Sequence, residues 1–116
     1  METHERPARD EIIVLASSQE TQGRLFRFEY VARTVSAPPA NHVHDRQEER
    51  VEVLAGTVSC RIHDKEHLLG PGESRIFPIG VPHAVWSADP NGSRAIGQFE
   101  PALDTQEQFE ATMNVS

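Results

Sequence analysis

A single cysteine, Cys60, rules out an internal disulfide, so nothing covalent staples this chain. Lys and Arg are scarce, 11 against 18 Asp and Glu for a formal charge of −7, and none of them cluster. Phosphate backbones and anionic lipid surfaces are bound by concentrated positive charge, so nucleic acid and membrane are excluded as expected partners. No apolar run approaches the roughly 18 residues that cross a bilayer. The start, Met1-Glu2-Thr3-His4-Glu5-Arg6-Pro7, lacks the basic opening and apolar stretch of a secretory leader, which makes the cytoplasm the expected compartment.

At 116 residues, 37% of them hydrophobic, the chain has material for one core of ordinary size. Residues 1–10 are charged, carry a proline and show no periodicity, and are expected to form a mobile tail. Residues 11–116 are then expected to form one domain, without internal repeats or low-complexity segments.

Hydrophobic alternation dominates that stretch. Residues 12–15 form a short apolar run, and in 24–35 Phe26, Phe28, Tyr30 and Ala32 oppose Arg27, Glu29 and Arg33, the pattern of a strand with one buried face. Pro38-Pro39 breaks the backbone. Short strand-like runs follow at 50–54, 57–62, 67–69, 74–77, 84–87 and 95–99, separated by Gly56, His63-Asp64-Lys65, Gly70-Pro71-Gly72, Pro78-Ile79-Gly80 and Asp89-Pro90-Asn91-Gly92. Gly, Pro, Asn and Asp are what turns require, so the expected fold class is all-β, a sandwich or barrel of antiparallel strands. Asp104-Thr105-Gln106-Glu107 reads as a capping box, which predicts a short C-terminal helix through about Met113.

Within this frame three histidines and one acid are placed for ligation. His42 and His44 are separated by one residue, so on an extended backbone both imidazoles project from the same side while Val43 faces away. Glu49 falls five residues after His44, on the side shared with Val51 and Val53, and His83 follows the turn at 78–82, from where it can close a site. Three imidazoles and one carboxylate form a nitrogen and oxygen donor set suited to one divalent transition metal, Mn, Fe, Co, Ni, Cu or Zn. Four protein ligands on a six-coordinate ion leave two positions open for substrate.

The same residues carry a resemblance. Ser36, His42, His44, Glu49 and Gly56 fall at the spacing Gly-x5-His-x-His-x(3,4)-Glu-x6-Gly, and Gly72, Pro78, Gly80, His83 and Ser87 at Gly-x5-Pro-x-Gly-x2-His-x3-Asn. The chain therefore resembles the cupin superfamily, with Ser36 in place of the opening glycine and Ser87 in place of the closing asparagine. The resemblance covers roughly residues 25–101, with its motifs in 36–87. It implies a double-stranded β-helix, the jelly-roll barrel, with the metal held by His42, His44, Glu49 and His83. Glu48 also satisfies the looser form of the spacing, and the six residues between Glu49 and Gly56 favour Glu49. His4 lies in the expected tail, and His63 and His67 flank a hairpin turn as solvated residues.

By alternation Val51, Val53, Val58, Cys60, Ile62 and Val85 point inward together with Phe26, Phe28, Tyr30 and Phe99, and Cys60 becomes a buried inert thiol. Phe28, Tyr30, Val51, Val53, Val85 and Phe99 are the candidate contacts for a small organic ligand with an apolar body and a chelating oxygen pair. Trp86 falls on the opposite face. The resemblance further implies a metal-dependent enzyme, a dioxygenase, isomerase or decarboxylase, or else a module that binds a metabolite without turnover. It also implies a homodimer paired through the first strands and the outer sheet, where 12–15 offers an apolar edge. The ligand assignment predicts that His44→Ala severely lowers the metal content of purified protein, measured by elemental analysis, whereas His63→Ala leaves it unchanged. Equal losses in the two variants would contradict the assignment.

Overall fold

The computed structural model describes residues 10–116. In chain order they form β1 (Glu11–Ala16), β2 (Phe26–Ala32), β3 (Glu48–Ala55), β4 (Val58–Ile62), β5 (Lys65–Leu69), β6 (Ser74–Phe77), β7 (His83–Ser87), β8 (Ser93–Glu100), α1 (Thr105–Thr112) and β9 (Asn114–Val115). Six strands make a large sheet in the order β6-β3-β8-β2-β1-β9, and three make a small one in the order β5-β4-β7. The two sheets form the all-β jelly roll that the motifs imply, with the short helix at the C-terminal end. Of the expected tail, residues 1–9 lie outside the described residues. Asp10 is tied to β2, its carboxylate accepting from the Tyr30 hydroxyl and from the Arg33 amide, each at 3.0 Å.

Period-two patterning decides which face each strand buries. Along β8, Ser93, Ala95, Gly97 and Phe99 are buried while Arg94 and Glu100 are exposed, and β3 buries Val51 and Val53 while exposing Arg50 and Glu52. The register keeps these sets on one side, pairing Val51 with Gly97 and Glu49 with Phe99. Between the sheets Val51, Val53, Val58, Cys60, Leu69, Phe77 and Ala95 pack with Ile62 and Val85. A second cluster of Ile12, Phe26, Phe28, Phe99 and Ala102 is closed by Phe109, Met113 and Val115 from the C-terminal segment. Each large apolar side chain removed from water in this way contributes about 1.5–3 kcal/mol. Burial also raises the Cys60 thiol above its ordinary range, as expected of an inert core cysteine.

Two features depart from the sequence expectations. β9 was not foreseen: it runs parallel to β1, pairing Glu11 with Asn114 and Ile12 with Val115. The Ser116 amide donates to the Ile12 carbonyl at 2.8 Å and the Val14 amide to the Ser116 carbonyl at 3.0 Å. The edge of 12–15 expected to pair with a second copy is therefore occupied by the chain's own C-terminal residues. A two-residue strand is too short for alternation to reveal it. The capping box is also only partly realised. α1 starts after Asp104 as the spacing predicts, yet the Asp104 side chain makes no capping hydrogen bond.

Gly97 deserves its place in β8 for a spatial reason. A Cβ there would overlap the far end of the Phe28 ring. Phe28 is stacked at 4.8 Å on Phe26 and at 5.9 Å on Phe99, so its ring can yield only by giving up these contacts. Gly97→Ala is therefore expected to lower stability by about 1–3 kcal/mol, the usual cost of overpacking, read as a reduced urea midpoint with unchanged slope. An unchanged midpoint would show that Phe28 is not confined.

Candidate functional site

His42 reaches the site from an irregular segment and meets β7 through an isolated bridge to His83. The His42 amide donates to the His83 carbonyl at 2.9 Å and the His83 amide to the His42 carbonyl at 3.0 Å. His44 is held two residues on, where its carbonyl accepts from the Gly80 amide at 2.9 Å. Gly80 has φ +80°, a left-handed conformation that costs a glycine nothing and that sets the turn into His83. Glu49 enters from β3, and Glu48, opposite Glu100 across the ladder, takes no part.

The candidate ligand atoms of His42, His44, Glu49 and His83 all lie within 4.8 Å of one another. Glu49 Oε1 is 2.8 Å from His83 Nε2, 3.3 Å from His44 Nε2 and 3.9 Å from His42 Nε2. His83 is fully buried, with its ring stacked 4.5 Å from that of Phe77, while the His42 side chain is 47% exposed. Of the other histidines, His4 lies outside the described residues and His63 is exposed at the β4–β5 turn. His67 is half-buried, its Nδ1 lying 3.5 Å from the Arg75 guanidinium, so it is less solvated than the sequence suggests.

Burial alone would push the Glu49 carboxyl up. The three imidazoles that surround it, with His83 hydrogen-bonded at 2.8 Å, outweigh burial and hold the group well below the usual carboxylate range. Burial likewise pushes the His83 imidazole down, yet the Glu49 carboxylate and the Val81 carbonyl, 2.9 Å from Nδ1, leave it above its ordinary value. Both ring nitrogens of His83 face acceptor oxygens, and Nε2 has to be free of a proton to ligate an ion.

Three observations bear on whether these residues fit a metal. The four donors converge from separate segments, as a chelate requires. The Nδ1 of His83 is fixed by a backbone carbonyl, the arrangement that orients metal-ligating histidines and leaves Nε2 for the ion. The Nε2 of His44 is buried without a hydrogen-bond partner, the only such side-chain atom among the described residues. An orphaned nitrogen aimed at a carboxylate is costly unless something else completes it. The donor set therefore fits a divalent cation.

His42, His44 and Glu49 border a cavity of about 560 Å³ whose wall continues through Phe28, Tyr30, Val51, Val85 and Phe99. Five of the six candidate contacts are thus on the wall. Val53 is not: it is 1% exposed and packs in the core between the sheets, although Ala95, its partner across the ladder, borders the cavity. Tyr30 presents its ring, its hydroxyl being engaged by Asp10, and burial together with that carboxylate pushes the phenol well up. Trp86 lies on the outer face of β7 as expected, with Arg61 5.4 Å over its ring, while also touching the cavity wall. Ser36 and Ser87, the two departures from the motifs, meet on the same wall, the Ser36 amide donating to the Ser87 carbonyl at 3.0 Å.

Sequence reasoning missed the side of the cavity built by the C-terminal segment. Leu103, Asp104, Thr105, Gln108 and Phe109 all border it. Gln47 holds that segment in place: its side-chain amide lies 3.0 Å from the Pro101 carbonyl, 3.0 Å from the Ala102 carbonyl and 2.8 Å from Thr105 Oγ1. Gln47 reads as a spacer between His44 and Glu49, and the only signal for it was its place inside the motif.

The cupin domain family matches residues 26–95. The chain belongs to the cupin family. Solved cupin-fold structures are similar to it along most of its length. KdgF from a Halomonas species is 20% identical with TM-score 0.69, covering 82% of this chain and 81% of its own. The protein TT1209 from Thermus thermophilus is 24% identical with TM-score 0.70, covering 84% and 88%. A predicted oxalate decarboxylase from Thermotoga maritima is 13% identical with TM-score 0.70, covering 78% of each chain. None of the curated proteins matches the chain in sequence. At these identities the structural likeness establishes the fold, and function has to come from the site.

The coupling of Glu49 to His83 has a measurable pH dependence in metal-free protein. A raised imidazole contributes stability that is complete below its unfolded value of 6.5 and lost as pH rises through the folded value. A depressed carboxyl contributes stability that is present above its unfolded value of 4.5 and lost only as pH falls through the lower folded one. The melting-temperature gap between wild type and Glu49→Gln is therefore expected to be widest near pH 6 and to narrow as pH rises further. A gap that widens above pH 7 would contradict the pairing.

Proposed function

We propose that this cupin is a metal-dependent enzyme acting on a small organic substrate, with dioxygenase-like chemistry as the leading reading. In this proposal His42, His44, Glu49 and His83 hold one divalent transition metal. The observation that carries it is the convergence of four donors, three of which, His42, His44 and Glu49, stand on the wall of a cavity that is otherwise mostly apolar and aromatic. When bound, the ion would supply a Lewis-acid centre and, if redox-active, a route for electrons to dioxygen. Glu49 offsets part of its charge, and the Val81 carbonyl keeps the His83 ring in the orientation that presents Nε2.

The remaining residues define what fits. Phe28, Val51, Val85 and Phe99 receive an apolar body and exclude water from it, while the chelating end of the substrate faces the histidines. The volume of about 560 Å³ suits a ring or a short branched chain. Asp104, whose carboxylate is not used to cap α1, is the one acid on the wall besides Glu49, and it stands as a candidate proton carrier for an isomerase or decarboxylase. The proposal includes a homodimer. With the β1 edge occupied, its interface falls to the outer face of the large sheet, where Ile13, Val31 and Ile96 are half-buried among charged neighbours.

The test is to identify the metal in purified protein and then to follow oxygen uptake by Fe(II)- and Mn(II)-loaded samples with catechols, flavonols and β-diketones. Uptake that requires both the metal and His44 is expected. Tight binding of members of this panel without turnover would replace the enzyme by a binding module.

A further inference from the structure

His42 is the least secured of the four donors. Its side chain is 47% exposed, it is the farthest from Glu49 at 3.9 Å, and only the single bridge to His83 ties its backbone to a sheet. The segment before it, from Pro38 to Asn41, carries no regular structure. Something has to fix that segment if His42 is to stay within reach of the other donors.

Arg61 is built to do so. It lies on β4, whose neighbouring residues Cys60 and Ile62 pack into the core, so its backbone is anchored. Its side chain crosses the outer face of β7, where the guanidinium lies 5.4 Å over the ring of Trp86. Directly opposite Arg61 in the ladder stands Ala84, a small residue that is fully buried. The fork ends on the segment that carries His42: Nε donates to Asn41 Oδ1 at 2.7 Å and Nη2 to the Pro39 carbonyl at 2.6 Å. Asn41 completes the brace by donating from Nδ2 to the His63 carbonyl at 3.0 Å, and the His63 amide donates to the Pro82 carbonyl at 2.9 Å, next to His83. Glu66 lies 3.9 Å from Nη1 at the exposed rim and is a minor partner.

We propose that Arg61 is a positioning residue for the metal site, holding His42 in the cluster through Asn41 and Pro39 without itself touching an ion. The proposal rests on the metal reading of the four donors. A planar fork matched to two acceptors is a task that lysine cannot reproduce. Residues that orient a ligand typically change metal affinity by about 10–100-fold.

The test titrates Ni(II) into metal-free wild type, Arg61→Ala, His42→Ala and the double variant by calorimetry. Arg61→Ala is expected to weaken binding by about 10-fold or more, and Arg61→Lys to recover little of the loss. Because Arg61 acts through His42, the double variant should bind no more weakly than His42→Ala alone. Unchanged affinity in Arg61→Ala, or an equal further loss in the His42→Ala background, would overturn the proposal. If Arg61→Ala does not fold, Asn41→Ala breaks the same brace at an exposed residue and is read by the same criteria. If wild type takes up no Ni(II), the metal reading fails, and the brace is judged by hydrogen exchange at the His42 amide in metal-free protein. Faster exchange in Arg61→Ala supports it and equal exchange overturns it.

Discussion

The carboxylate of Glu49 is the constraint around which this cupin is arranged. An ionised carboxylate taken out of water costs several kcal/mol unless partners replace its solvation. Here the replacement comes from three imidazoles on two stretches of chain, the segment between β2 and β3 and strand β7, which meet the carboxylate carried by β3. Satisfying one buried charge thus requires that both sheets and the crossing segment be in register at the same time. The apolar alternation of β3 and β8 provides that register, since a slip of one residue would turn Glu49 outward and Glu48 inward.

The cluster is incomplete as it stands. His83 is satisfied from both sides, by Val81 and by Glu49, whereas the buried Nε2 of His44 has no partner and His42 remains half in solvent. This asymmetry divides the donors into a rigid half, held by the small sheet and the turn through Gly80, and a looser half that depends on irregular backbone. A site of this kind can open toward the adjoining cavity on one side only, so the apolar wall of Phe28, Val51, Val85 and Phe99 and the exposed rim at His42 belong to one functional unit.

Much of this was legible in the sequence because it is written in short-range patterns. The alternation in 24–35 and 95–99 follows a strand period of two and appears in β2, shortened to Phe26–Ala32, and in β8; the spacing of His42, His44, Glu49 and His83 brings the four together although His42 and His44 sit on irregular backbone. What escaped depends on contacts remote in the chain. β9 is two residues long and exists only because β1 offers it an edge. Gln47 matters through acceptors 54 residues or more away, and Asp104 follows a capping pattern while its side chain makes no capping hydrogen bond. Val53 shares its parity with Val51, and alternation cannot say which inward-facing side chain meets the cavity and which is covered by the packed core.

The most direct test is anomalous diffraction at a metal edge from crystals grown with the ion identified in the purified protein. The account predicts a single peak at about 2.0–2.2 Å from the Nε2 atoms of His42, His44 and His83 and from a carboxylate oxygen of Glu49. Imidazoles 42, 44 and 83 diverging around an empty space, or a peak held by other residues, would contradict it.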